Sequence, residues 1–109
     1  MAETPLDSTI RVGEVLRAER FEEARKPELF KLWIDLGTGG GEVRSAAQLG
    51  YHHDVEALPG RQVLCATGLG TVNVAGFVSE VLTVGVPGED GNPVLVEPAE
   101  DVPVGGVLY

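Results

Sequence analysis

The chain has 109 residues, a formal net charge of −9, 43% hydrophobic residues, 15 Gly, 7 Pro and one Cys. That length suits one domain, 1–109, whose folding buries about 65% of the unfolded chain's surface. A single Cys excludes a disulfide framework and no apolar stretch reaches membrane-spanning length. Met1–Asp7 lacks the apolar core of a signal peptide, so a soluble cytoplasmic domain is expected.

The charge is unevenly spread. All eight cations (Arg11, Arg17, Arg20, Arg25, Lys26, Lys31, Arg44 and Arg61) precede residue 62, and the rest of the chain carries only acids. Its C-terminal part cannot attract phosphate by charge. Acid excess with Arg outnumbering Lys would also suit a salt-loving host.

In chain order, Ile10–Ala18 alternates as a half-buried strand, with Ile10, Val12, Leu16 and Ala18 on one face and a bulge or a barrel bend expected at Gly13-Glu14. Glu19–Pro27 is a charged connector in solvent, with room for one helical turn. Phe30–Leu36 is the clearest strand: Phe30, Leu32, Ile34 and Leu36 point one way, Lys31, Trp33 and Asp35 the other. Gly37–Gly41 is a flexible turn, and with no following Lys-Ser or Lys-Thr it is no phosphate loop. Glu42–Leu49 is a third strand, with Val43, Ser45, Ala47 and Leu49 opposite Glu42, Arg44, Ala46 and Gln48. Asp54 caps a short helix, Val55–Leu58, which Pro59-Gly60 stops.

Val63–Thr67 then reads as a buried strand, Gly68–Asn73 as an uncharged loop and Val74–Val84 as a strand returning beside it. Glu89–Asn92 is a hairpin turn, Val94–Val96 a short strand and Val102–Leu108 a last extended piece. The expected fold is all-β: an OB-fold five-stranded barrel with one short helix between strands 3 and 4 and extra C-terminal strands. Pro5–Ile10 and Val102–Leu108 have no obvious partner inside such a barrel, so a homodimer that covers them is expected.

Four stretches stand in order along the chain: Ile10-Arg11-Val12-Gly13, Glu23-Ala24-Arg25-Lys26-Pro27, Lys31–Gly37 and Ala75–Leu82. With Arg44–Leu49 they resemble the free-standing tRNA-binding-domain proteins of the CsaA export-chaperone branch, and the C-terminal appendage of some methionyl-tRNA synthetases. The likeness covers nearly the whole chain, from Ile10 to Tyr109. It implies a non-catalytic OB-fold homodimer that binds tRNA or related structured RNA. The family's Ser-Ser-Ala-Gln segment falls on Ser45, Ala46, Ala47 and Gln48, and Ser79 and Glu80 match. The family's basic pair falls on Val72 and Asn73, so this chain lacks it.

The expected RNA-binding residues are therefore Lys31, Trp33, Arg44, Ser45, Gln48, Asn73 and Ser79. Trp33 offers a face for a base, worth about 1–3 kcal/mol. If about three cations (Arg17, Lys31 and Arg44) reach phosphate, log affinity falls with log salt at a slope of roughly −2. Each residue also has a plainer reading: Trp33 at a seam, Lys31 and Arg44 solvated, Ser45 and Ser79 bonding backbone, Asn73 serving its turn.

The second reading is a chaperone for unfolded or pre-secretory polypeptides. It places apolar contact on Leu69, Val72, Val74 and Phe77. No cofactor and no metal are expected: Cys65 is an inert core thiol, and the adjacent His52 and His53 cannot easily share an ion. No nucleophile–base–acid set appears, and the pairs Glu22-Glu23 and Glu100-Asp101 lie in connectors, so an enzyme is not expected.

Overall fold

The computed structural model describes residues 9–108. The segment Met1–Asp7 and most of the Pro5–Ile10 lead-in lie outside them. Among the described residues, no helix is long and apolar enough to cross a membrane.

The central element is β2 (Phe30–Asp35), whose strict alternation buries Phe30, Leu32 and Ile34 and turns Lys31, Trp33 and Asp35 outward. It is flanked by antiparallel β1 (Thr9–Arg20) and β3 (Glu42–Ala47). On the other side of β1 lie β4 (Gln62–Thr67) and the short β7 (Leu82–Thr83), giving the order β3-β2-β1-β4-β7. Two hairpins complete the fold: β5 (Val72–Val74) with β6 (Phe77–Ser79), and β8 (Gly85–Pro87) with β9 (Pro93–Leu95).

The sheet curls until its edges meet, as an OB-type barrel requires. The seam between β3 and Ser79–Thr83 is held largely by side chains. The Arg44 N–H donates to Glu80 Oε1 at 3.0 Å, and the Ala46 N–H to Ser79 Oγ at 3.0 Å. Glu80 N–H donates to the Arg44 carbonyl at 2.8 Å, and the buried Thr83 hydroxyl to that of Ser45 at 2.9 Å. Inside lie Val15, Phe30, Leu32, Ile34, Leu49, Leu58, Val63 and Cys65.

Several expectations need correction. The bulge lies between Val15 and Arg17, not at Gly13-Glu14. An extra residue there reverses which face points inward, so Val15 is buried and Leu16 exposed, and Ile10, Val12, Leu16 and Ala18 do not share one face. Gly13 serves a different purpose: a Cβ there would stand 2.5 Å from Ile34 Cγ2, so the strands could not approach as they do. The charged connector Glu19–Pro27 is partly strand, and Phe21 within it is buried.

The short helix expected between strands 3 and 4 is present as a 3-10 helix, Val55–Ala57, but Asp54 makes no side-chain cap. Val74–Val84 is not one strand. It breaks at Ala75-Gly76, both left-handed (φ 46° and 86°), which turn β5 into β6 as a two-residue hairpin. Ala carries a Cβ that this conformation penalises. Ala75→Asn is expected to stabilise the fold by about 0.5–1 kcal/mol, read as a higher denaturation midpoint.

The C-terminal piece finds its partner within the chain. Gly105 N–H donates to the Val12 carbonyl at 2.7 Å, Val12 N–H to Gly106 at 2.8 Å and Leu108 N–H to Ile10 at 2.8 Å. Gln62 holds Val102 through both ends of its amide, at 2.6 and 3.0 Å. The tail thus covers the edge of β1 that β2 leaves free, and it needs no second copy to satisfy its backbone.

Candidate nucleic-acid interface

The outward face of β1–β2–β3 is built in rows set by strand register. Arg17, Trp33 and Arg44 lie directly across from one another, and the next row is Glu19, Lys31 and Ala46. Residues of one row face the same side, so their side chains must interact. The Arg17 guanidinium sits 4.4 Å above the Trp33 ring.

Phe77, carried in by the β5–β6 hairpin, packs on this face. It meets Trp33 and Phe21 edge-on, each at 5.6 Å between ring centres. Lys31 Nζ lies 5.1 Å from the Phe21 ring and 5.8 Å from Phe77, and Arg44 lies 5.4 Å from Phe77. The result is an aromatic layer with cations on three sides. Each cation has an acid beside it: Arg17 pairs with Glu19, Lys31 Nζ is 3.8 Å from Glu19 and 3.7 Å from Glu23, and Arg44 is 3.5 Å from Glu80.

The residues expected from sequence separate accordingly. Lys31, Trp33 and Arg44 share the face, and Gln48, two and four positions beyond Ala46 and Arg44, continues their outward set and is exposed. Ser45 is fully buried, its hydroxyl taken by Thr83, so it offers no surface to a ligand. The Ser79 hydroxyl is used in the seam. Asn73 pairs across the hairpin with Val78, away from Val72 and Val74, and its Oδ1 accepts from Gly76 N–H at 2.9 Å. That bond closes the turn.

Sequence reading did not assign Phe21 to the site, nor Phe77 to its aromatic layer. The one available signal for Phe21 was a lone aromatic inside a charged run.

The apolar set divides as well. Leu69, Val72 and Leu82 are 57%, 62% and 56% exposed and, with Val74 and Val81, line a groove of about 300 Å³. Phe77 does not belong to that lining: it is only 8% exposed and faces Trp33. Among the described residues, no group of three or more His, Cys, Asp or Glu could hold a metal. Burial pushes the Cys65 thiol up to about 12, which leaves it protonated and unreactive at neutral pH.

Away from this face, two histidines hold the β8–β9 hairpin. His52 Nε2 lies 2.9 Å from Asp90 Oδ1, and His53 Nε2 accepts the Leu95 N–H at 3.1 Å. Only a neutral ring can accept that bond. Burial holds His53 below the ordinary histidine value of 6.5, helped by Arg61 and His52 and opposed by Glu97. An unfolded His53 takes a proton more readily than the folded one. Stability from this group is therefore complete above about pH 6.5 and is lost as pH falls below it, levelling at the lower folded value. Thermal denaturation at pH 7.5 and 5.5 is expected to show the loss, and His53→Gln, which accepts without titrating, to reduce it. Asp90 is held well below the usual carboxylate range, first by its bond to His52, so its contribution persists to more acid pH.

The chain matches the family model described as a "tRNA binding domain" over residues 10–106. It is 33% identical over 92 residues to a methionine–tRNA ligase of Chlorobium limicola, covering 84% of this chain and 12% of that enzyme. The chain thus spans about an eighth of the curated relatives it matches. Among solved structures, it superposes on the chaperone CsaA from Bacillus anthracis with a TM-score of 0.83 at 33% identity, covering 94% of this chain and 90% of that one. On the CsaA chaperone of Picrophilus torridus the TM-score is 0.84 at 29% identity, covering 94% and 92%. With a barrel of this topology, and a family match that runs from the start of β1 into the C-terminal tail, the chain belongs to the tRNA-binding-domain family.

Proposed function

We propose that the chain is a non-enzymatic tRNA-binding module, acting as one domain, that holds exposed nucleotides of tRNA on the outward face of β1–β2–β3. The observation that carries this reading is the meeting of Arg17, Lys31 and Arg44 around Trp33 in a chain of net charge −9. Gln48 extends the same face, while Ser79 and Asn73 act indirectly by shaping the seam and the turn beside it, and Ser45 by holding Thr83. Three cations predict a salt slope of roughly −2, shallow for a nucleic-acid binder, with stacking supplying most of the remainder. Titration of unmodified tRNA from low to high salt tests it. Saturable binding at low salt with that slope is expected, and no binding at low salt overturns it.

A second reading is favoured by the groove beside Leu69, Val72, Val74 and Leu82: a holding site for unfolded polypeptide, in keeping with the likeness to CsaA chaperones. Suppression of client aggregation, lost on Leu69→Ser with Val72→Ser, supports it. Assembly as a homodimer fits the exposed Val86, Val107 and Leu108. Sedimentation as a monomer at micromolar concentration rules it out. The buried free thiol suits a reducing cytoplasm.

A further inference from the structure

Glu19 stands between two cations of the outward face. It lies directly opposite Lys31 across β1 and β2, and its two carboxylate oxygens serve two different cations. Oε2 accepts from Arg17 Nη2, and Oε1 is 3.8 Å from Lys31 Nζ. The same Arg17 guanidinium covers Trp33, so a base stacking on that pair brings its own phosphate within reach of Arg17 and Lys31. A carboxylate and a phosphodiester each present two charged oxygens to such donors, and they compete for them.

We propose that Arg17 and Lys31 form a phosphate subsite which Glu19 fills in the free protein, so that nucleic acid enters by displacing the protein's own carboxylate. The proposal rests on the reading of this face as an RNA surface.

Glu80, the acid beside Arg44, shows by contrast what makes Glu19 displaceable. Glu80 Oε1 also accepts the Arg44 N–H at 3.0 Å, and Glu80 N–H donates back to the Arg44 carbonyl. Glu80 is thereby built into the barrel seam, and moving it opens the seam. The Glu19 carboxylate makes only its two ion pairs among the described residues, and its side chain is 37% exposed. It can swing into water without unpairing any backbone group. Lys31, at 16% side-chain exposure, is held in place between Phe21 and Phe77, with Glu23 at 3.7 Å on its other side, and stays behind as a fixed cation when Glu19 moves.

The test is Glu19→Gln in the full chain, titrated with unmodified tRNA over a salt series and followed by Trp33 fluorescence. Affinity at low salt is expected to rise about two- to fivefold, what one exposed ion pair in the upper half of the usual range withholds. The slope of log affinity against log salt is expected to stay near its native value, because the native complex already seats that phosphate once Glu19 has moved aside. Glu100→Gln, the same charge change on the segment after β9, controls for long-range field and is expected to leave the affinity at its native value. Arg17→Gln added to Glu19→Gln is expected to cancel the gain, because the subsite then lacks one of its two cations.

If native protein binds tRNA and Glu19→Gln binds no tighter, or no more tightly than Glu100→Gln, the subsite is overturned while the RNA reading stands. If neither native protein nor Glu19→Gln binds at low salt, the RNA reading falls and the subsite with it. Thermal melts of each variant, expected within a few degrees of native, separate these results from loss of fold.

Discussion

Phe77→Ala is expected to destabilise the protein by about 3–5 kcal/mol, the range for emptying a buried aromatic site. Phe77 is the only described ring that touches both Phe21 and Trp33, and Lys31 and Arg44 lie against it as well. The hairpin that carries it has three-residue strands, too short to stand alone. Removing the ring therefore takes away both the layer over Trp33 and the anchor of β5–β6. Phe77→Leu, which keeps most of the apolar volume but no edge-on ring contact, is expected to recover more than half of the loss. Chemical denaturation measures both. A loss under about 1 kcal/mol for Phe77→Ala would mean that the hairpin is held elsewhere.

Trp33→Ala is expected to weaken tRNA binding by about five- to 150-fold, corresponding to the roughly 1–3 kcal/mol of one stacked base. Its salt dependence should not change, since no charge is lost. Arg44→Gln should do the reverse, flattening the slope by about 0.7 and weakening binding less at high salt than at low. The two variants thereby separate contact from attraction on one face. Trp33→Ala binding tRNA as tightly as native protein would remove the aromatic layer from the interface and leave only the cations. Trp33→Phe, which keeps a ring for the base and for Phe77, guards against a purely structural effect.

The shallow slope follows from where the charges end up. Five of the eight cations lie off this face: Arg61 is paired with Glu97 at 2.9 Å, Arg11 lies along a cleft beside Gly39, and Arg20, Arg25 and Lys26 line a hollow next to Pro27. The three that remain are each set against a carboxylate. Long-range attraction of a polyanion is thus weak, and affinity must come from contact at short distance, where salt screens least.

Much of this was legible in the chain. The alternation of Phe30–Leu36 states by itself which side chains face the core, because a strand repeats every two residues regardless of its neighbours. The inert Cys65, the turn at Glu89–Asn92 and the outward placement of Lys31, Trp33 and Arg44 follow from the same local periodicity. The ordered motifs from Ile10 to Leu82 carried the family and with it the barrel.

What local pattern could not supply was register. The bulge after Val15 reverses the inward face of β1, and only pairing with β2 reveals it, by setting Arg17 against Trp33 and Glu19 against Lys31. Ser45 reads as a polar residue free to contact a ligand until the opposite edge of the sheet arrives and brings Thr83 to its hydroxyl. Phe21 reads as part of a solvated connector until β6 delivers Phe77 to its ring. Local pattern established β2, β3 and β4, the inward faces of those unbroken runs, the family and the excess of acid. The tertiary structure alone decided which cation meets which acid and which ring, because those contacts join residues from separate strands whose alignment no single segment encodes.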